Sequence, residues 1–77
     1  MFRIVRYERH RGVGQSMFNP VDTGRRYDSR ADARIDAEAA IKDYDAKGYN
    51  GEHDYFWGWK DSTSLGHAYV IDSVPVV

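Results

Sequence analysis

Residues 53–60, HDYFWGWK, decide how this chain packs, because they hold four of its eleven aromatic side chains. Aromatic residues are enriched in β-strands, so the composition predicts a strand here. Successive side chains of a strand point to opposite faces of the sheet. One face therefore carries His53, Tyr55, Trp57 and Trp59, and the other carries Asp54, Phe56, Gly58 and Lys60.

One hypothesis places the odd-numbered aromatics of this strand in the core. The whole chain has one Leu, four Ile, seven Val and two Met, which are too few to fill a core without aromatic rings. Each buried aromatic side chain removes about 150–250 Å² from water. Under this hypothesis, which the aliphatic count favours, Trp57 packs beneath a helix with Tyr55 or Trp59 beside it. A mixed outcome is also open, in which Trp57 is buried and Trp59 is partly exposed near the strand end.

The second hypothesis turns Phe56 inward and displays the other three aromatics. A sheet that is covered by one helix has one open face. Aromatic rings on such a face stack on bases or other rings, as they do in sheet-based binders of single strands. Gly58 would then let the helix approach the sheet closely.

The stretch 30–47 is predicted to be that helix. Ser29 is a good N-cap, and Asp32 follows it in the first turn, where the helix dipole favours an acid. The stretch contains six alanines and neither glycine nor proline, so its helix propensity is high. Gly48 follows this stretch, and glycine is common just after the last residue of a helix.

The predicted helix has one apolar stripe, which is made mostly of small side chains. At about 100° per residue, the stripe consists of Ala33, Ala37, Ala40, Ile41 and Tyr44. Ile35 falls nearly opposite this stripe and is predicted to be an exposed apolar spot.

The rest of the chain predicts a small sheet. Stretches typical of strands are 2–10, 15–18 and 67–74, and residues 25–27 extend or resume the second strand. Turn formers occupy 11–14, 19–24, 49–51 and 61–66. We predict a single α+β domain over residues 1–77 with the order β-β-α-β-β, an antiparallel sheet and one helix (about 30–47) packed on one face.

The composition excludes several classes of protein. The chain has no cysteine, which excludes disulfides, thiolate metal sites and cysteine nucleophiles. It has no apolar run of the roughly 18 residues that a membrane-spanning helix needs, and its charged N-terminus lacks the apolar core of a signal peptide. We expect a cytoplasmic protein with no membrane partner.

Charge is divided unevenly along the chain. Residues 1–34 carry eight arginines against four acids, and residues 35–77 carry three lysines against eight acids. This asymmetry is typical of a bipolar surface that binds an anionic partner or a second copy. The alternative is that the acids lie on solvated faces, while the arginines cover apolar surface and pair with nearby acids.

Four arginines near the N-terminus are candidate contacts for phosphate groups. They are Arg3, Arg6, Arg9 and Arg11, and strand alternation puts Arg6 on the face opposite the other three. The sequence pI of about 6.3 is low for a nucleic-acid-binding protein.

No motif predicts catalysis or metal binding. The three histidines, His10, His53 and His67, are not spaced as metal ligands. The serines lack the G-x-S-x-G context of an activated nucleophile, and a small sheet with one helix offers little concave volume. We expect a protein that is not an enzyme, with no cofactor and no metal.

Residues 25–44, RRYDSRADARIDAEAAIKDY, resemble the strand-to-helix passage F-D-[ST]-x-x-[ED]-A of many small ββα-type bacterial and phage domains. Some of these domains, such as the arm-type DNA-binding domains of phage integrases, grip DNA with their sheet. The resemblance covers 20 of the 77 residues and consists mostly of an N-cap and an alanine-rich helix. It implies a similar fold more than a similar function.

These observations predict a small non-catalytic interaction domain that binds a protein partner or itself as a homodimer. The alternative is a nucleic-acid-binding module that uses the arginines of the first hairpin with exposed aromatics. Partner surfaces are enriched in aromatic residues and arginine. The candidate binding residues are therefore Trp59, Tyr55, Arg3, Arg6, Arg9, Arg11 and Ile35.

Overall fold

The computed structural model describes residues 1–10, 17–60 and 65–75, with the backbone alone at residue 65. Its elements are β1 (Phe2–His10), β2 (Phe18–Asp22), α1 (Arg30–Ala40), β3 (Ala46–Asn50), β4 (Tyr55–Trp59) and β5 (Leu65–Ser73). The strands form one sheet in the order β2-β1-β5-β4-β3. Every neighbouring pair in this sheet is antiparallel.

The predicted architecture is confirmed: one antiparallel sheet carries one helix, and the elements follow in the predicted order with an added strand, β3, after the helix. The two longest strands, β1 and β5, pair along their whole length at the centre of the sheet. The helix packs across β1, β4 and β5. None of the helices formed by the described residues is long and apolar enough to cross a membrane.

The helix begins where it was predicted to begin but ends earlier. The Ser29 hydroxyl accepts a hydrogen bond from the backbone N–H of Asp32 at 3.1 Å, which confirms the N-cap. The last helical residue is Ala40, and the predicted end at Lys47 is wrong because β3 begins at Ala46. Helix propensity is a weak preference that tertiary contacts override; here pairing with β4 takes the residues around Gly48 into the sheet.

The second strand lies later in the chain than predicted. It covers Phe18–Asp22, which includes part of the predicted turn, and residues 15 and 16 lie outside the described residues. Pro20 is tolerated because β2 is an edge strand, and the register with β1 shifts beside it. The predicted resumption at 25–27 is present as a bridge in which Tyr27 and Phe2 exchange two backbone hydrogen bonds of 2.9 Å.

The core lies between the sheet and the helix, and it contains Phe56 rather than Trp57. The buried cluster consists of Ile4, Tyr27, Ala33, Ala37, Ile41, Phe56 and Ile71, with Phe2, Tyr44 and Tyr69 packed against it. The hypothesis that put Trp57 beneath the helix is therefore wrong. Aromatic rings do replace missing aliphatic side chains in the core, but they come from several elements. Ala40, which was predicted to be buried, is exposed.

Gly58 lies on the helix side of the sheet, directly against Tyr44, which follows α1. A Cβ atom at this position would lie 2.5 Å from Cγ and 2.9 Å from Cβ of Tyr44. These atoms lie close to the main chain of Tyr44, so they cannot move aside as a flexible side-chain end could. The second hypothesis expected Gly58 to let the helix approach closely, but the side chain that packs on Gly58 is that of Tyr44, which follows α1.

Gly58→Ala is expected to lower the free energy of unfolding by about 1–2 kcal/mol. This is at the lower end of the cost of overpacking, because alanine loses less backbone entropy than glycine on folding. Gly51→Ala is a matched control, since its Cβ would meet Cε2 of Tyr49 at an ordinary 3.5 Å. Urea denaturation measures both variants, and equal stability of the two would contradict this account of Gly58.

Candidate functional site: the open face of the sheet

The face of the sheet opposite α1 is called here the open face. Three rows of side chains cross it, each set by the strand register. The rows are Val5–Val70–Tyr55–Asn50, Tyr7–Ala68–Trp57–Gly48 and Arg9–Gly66–Trp59–Ala46. In the last two rows, large side chains alternate with glycine or alanine, and both tryptophans are partly exposed there.

Small residues allow the two indole rings to lie close against the sheet. A Cβ atom at Gly48 would lie 2.4 Å from Cζ2 of Trp57, and one at Gly66 would lie 2.6 Å from Cε3 of Trp59. In each case the glycine is the direct cross-strand partner of the tryptophan. Cross-strand pairs of this kind stabilise a sheet and fix its register. The open face is thus a layer of rings supported by glycine and alanine.

Arg9 belongs to this layer. Only 7% of the residue is exposed, and its guanidinium carbon lies 6.0 Å from the ring centroid of Tyr55 and 5.9 Å from that of Trp59. These distances are typical of cation–π contacts. The charge of Arg9 is therefore held among the rings, and its predicted contact with phosphate stays a prediction.

Most of the other arginines form ion pairs within the fold. The pairs are Arg3–Asp72, Arg3–Asp22, Arg26–Asp22, Arg25–Asp36, Arg30–Asp54 and Arg34–Asp54. Those made to Asp36, Asp54 and Asp72 join the basic first half of the sequence to the acidic second half. The uneven charge of the sequence is thus largely balanced inside the folded chain, and among the described residues it produces no strong basic face.

The predicted binding residues do not form one site. Tyr55, Trp59 and Arg9 come together on the open face, with Arg3 at one end of it. Arg6 lies on the opposite face of the sheet, as alternation predicted, and Ile35 is 65% exposed on the outer side of the helix. Tyr55 is only 4% exposed, so it supports the layer more than it displays a surface. Arg11 lies outside the described residues.

A groove with a volume of about 560 Å³ runs beside Tyr55 on the open face. It is lined by Tyr7, Met17, Asn50, Glu52, His53, Tyr55 and Val70. The Asn50 side chain shapes one wall, since it accepts a bond from the backbone N–H of His53 at 3.1 Å and donates one to the Tyr55 hydroxyl at 3.4 Å. Sequence reasoning missed Tyr7 as a site residue, although it shares strand parity with Arg9 and alternation could have found it.

A second polar cluster lies on the helix side of the sheet. The hydroxyl of Tyr44 is 2.7 Å from Nδ1 of His67 and 3.5 Å from the hydroxyl of Tyr69. Burial, together with the bond to Tyr69, raises the pKa of Tyr44. Burial, together with the charge of Arg6, lowers the pKa of His67. A neutral tyrosine can therefore donate to a neutral histidine, a contact that ties the segment after α1 to the sheet.

Comparison of the chain with models of protein families, with curated proteins and with solved structures finds no match. Within the described residues, no group of three or more His, Asp and Glu side chains is placed to hold a metal ion.

Proposed function

We propose that this chain is a small non-catalytic interaction domain, which binds proteins through the open face of its sheet and self-associates through the same face. The observation that carries the proposal is the layer of partly exposed rings formed by Tyr7, Trp57 and Trp59, beside the buried residue Arg9. Protein interfaces are enriched in Tyr, Trp and Arg and depleted of lysine and acids at their centre. The expectation of a cytoplasmic protein stays a prediction from the sequence.

The size of the open face supports a weak interface. Five strands with a spacing of about 4.8 Å give a width of roughly 20 Å; two strands have nine residues and three have five, so the mean length is roughly 22 Å. Each copy thus offers about 450 Å², and two copies packed face to face would bury about 900 Å², which is typical of weak complexes. Reversible dimers are therefore expected, in which two sheets pack as in a β-sandwich.

The distribution of charge supports a protein partner over nucleic acid. Binding to a phosphate backbone relies on exposed cations. On the open face, Arg9 is buried among rings and Arg3 is paired with two aspartates. The aromatic layer favours nucleic acid as the second candidate, because stacking of bases on rings needs few charges.

Tyr7→Glu is expected to weaken self-association by about tenfold or more, since loss of an aromatic residue at the centre of an interface costs on the order of 1–2 kcal/mol or more. The measurement is sedimentation equilibrium at micromolar to millimolar concentration. Ile35→Glu is the matched control: it adds the same charge on the outer side of the helix, at a residue that is 65% exposed. A dimer that Ile35→Glu breaks and Tyr7→Glu leaves intact would place the interface on the helix.

Tryptophan fluorescence tests the second candidate. Titration with a single-stranded oligonucleotide at low and high salt is expected to leave the emission of the two tryptophans unchanged. Quenching that falls steeply as salt is raised would instead favour the nucleic-acid-binding module. A protein that is monomeric at every concentration would contradict self-association, and emission that is not quenched would contradict the nucleic-acid-binding module.

A further inference from the structure

The groove on the open face combines aromatic rings with a carboxylate. Among the described residues that line it, Glu52 is the only Asp, Glu, Lys or Arg. Within the described parts of the chain, no arginine or lysine forms an ion pair with Glu52, whereas Asp22, Asp36, Asp54 and Asp72 each bind an arginine. The groove therefore combines rings with polar side chains, and its one carboxylate has no cation partner among the described residues.

Two other places in the fold show that a ring beside a carboxylate binds an arginine side chain. The guanidinium of Arg25 lies 5.4 Å from the ring centroid of Tyr27 and 2.7 Å from the carboxylate of Asp36. In the second example, the guanidinium of Arg30 lies 5.0 Å from the ring centroid of Phe2 and 2.6 Å from the carboxylate of Asp54. In both places a flat cation covers a ring while its N–H groups donate to an acid, the geometry that arginine favours.

We propose that the groove binds an arginine side chain of a partner protein, with the guanidinium on the partly exposed ring of Tyr7 and its N–H groups donating to Glu52. This inference rests on the proposed role of the open face as the partner surface. The aliphatic part of the arginine lies along Val70 and Met17, which supply the apolar surface that such a stem covers. The groove volume of about 560 Å³ also accommodates residues beside the arginine, and it is within the usual range of binding sites.

The test uses two short peptides that differ in one charge. Acetyl-Gly-Arg-Gly-amide and its citrulline analogue have nearly the same shape, but citrulline carries no positive charge. Each is titrated into the full chain while amide resonances are followed by two-dimensional NMR. The arginine peptide is expected to shift the resonances of Tyr7, Glu52, His53 and Tyr55, and the citrulline peptide is expected to bind more weakly.

Two variants identify the carboxylate. Glu52→Gln is expected to weaken binding of the arginine peptide by about two- to fivefold, the effect of one exposed ion pair. Glu38→Gln removes an equivalent charge from the exposed surface of the helix and is expected to leave binding unchanged. The dispersion of the amide spectrum shows that each variant is folded.

Several outcomes would overturn the inference. They are equal binding of both peptides, no resonance shifts with either peptide at millimolar concentration, shifts confined to other parts of the fold, and an unchanged affinity in Glu52→Gln. Sedimentation of Tyr7→Glu reports on the open face independently. If Tyr7→Glu abolishes the dimer but the natural chain does not bind the arginine peptide, the arginine site alone is refuted. If the natural chain binds the peptide but forms no dimer that Tyr7→Glu weakens, self-association alone is refuted.

Discussion

Phe56→Ala is expected to lower the free energy of unfolding by about 3–5 kcal/mol, the usual cost of removing a buried ring. Phe56 is 8% exposed, belongs to the cluster beneath the helix, and has its ring centroid 4.6 Å from that of Tyr49. A domain of 77 residues has a total stability of about 4–12 kcal/mol. The variant is therefore expected to be close to unfolding, and urea denaturation followed by circular dichroism measures the loss.

Trp57→Ala is the control on the other face of the same strand. The ring of Trp57 is partly exposed, so its removal is expected to cost only about 1–2 kcal/mol, less than the burial of a whole aromatic side chain. Phe56→Leu keeps most of the apolar volume and remains measurable if the alanine variant is unfolded. A larger loss in Trp57→Ala than in Phe56→Ala would mean that the helix covers the other face of β4.

The side of β4 that faces the helix was not predictable from composition alone. Alternation divided the aromatics correctly into two sets, but both sets contain large rings. The deciding residues are the small partners on neighbouring strands, because Gly48 and Gly66 leave room for the indoles on the open face. Their position opposite Trp57 and Trp59 depends on the strand register, which a single sequence does not contain.

Local signals were more reliable than long-range ones. The start of the helix was predictable because Ser29 and Asp32 interact within one turn. The exposure of Ile35 followed from helical periodicity in the same way. The end of the helix was not predictable, since β3 forms only when its partner β4 is present.

In the candidate site, too, local features were predictable and long-range contacts were not. The aromatic content of the open face was visible in the sequence, whereas the position of each arginine was not. Arg3 pairs with Asp72, which is 69 positions away in the chain, and Arg34 pairs with Asp54, which is 20 positions away. Pairs of this kind form only in the folded chain, so a basic N-terminal half does not imply a basic surface.

Asp54→Ala is expected to lower the free energy of unfolding by about 3 kcal/mol. The side chain of Asp54 is 14% exposed. It accepts bonds from Arg30 at 2.6 Å, Arg34 at 3.0 Å and Tyr49 at 2.6 Å, which join the first turns of α1 to β3. The partly exposed ion pairs contribute about 0.2–1 kcal/mol each, and the tyrosine bond to a charged group contributes about 1.5 kcal/mol. Asp54 also has φ of +54°, which costs alanine about 1 kcal/mol.

Asp54→Asn separates the charge from the backbone conformation. Asparagine tolerates positive φ and keeps one acceptor oxygen, so this variant is expected to lose about half as much stability as Asp54→Ala. Burial alone would raise the pKa of Asp54, but the bonds from Tyr49, Arg34 and Arg30 outweigh it and hold the pKa below its ordinary value of 3.8. The charge of Asp54 therefore stabilises the fold fully above that pH, and this contribution is lost as the pH falls through the lowered pKa.

The pH dependence gives the sharper measurement. Urea denaturation of the natural chain and of Asp54→Asn at neutral pH and at several acidic values is expected to give a difference that shrinks once the pH falls below 3.8. The difference shrinks because protonated Asp54 no longer attracts Arg30 and Arg34, so that both chains then lack the charge. A difference that stays constant down to the acid limit of folding would mean that the ion pairs contribute nothing, and that the two chains differ for a reason other than the charge of Asp54.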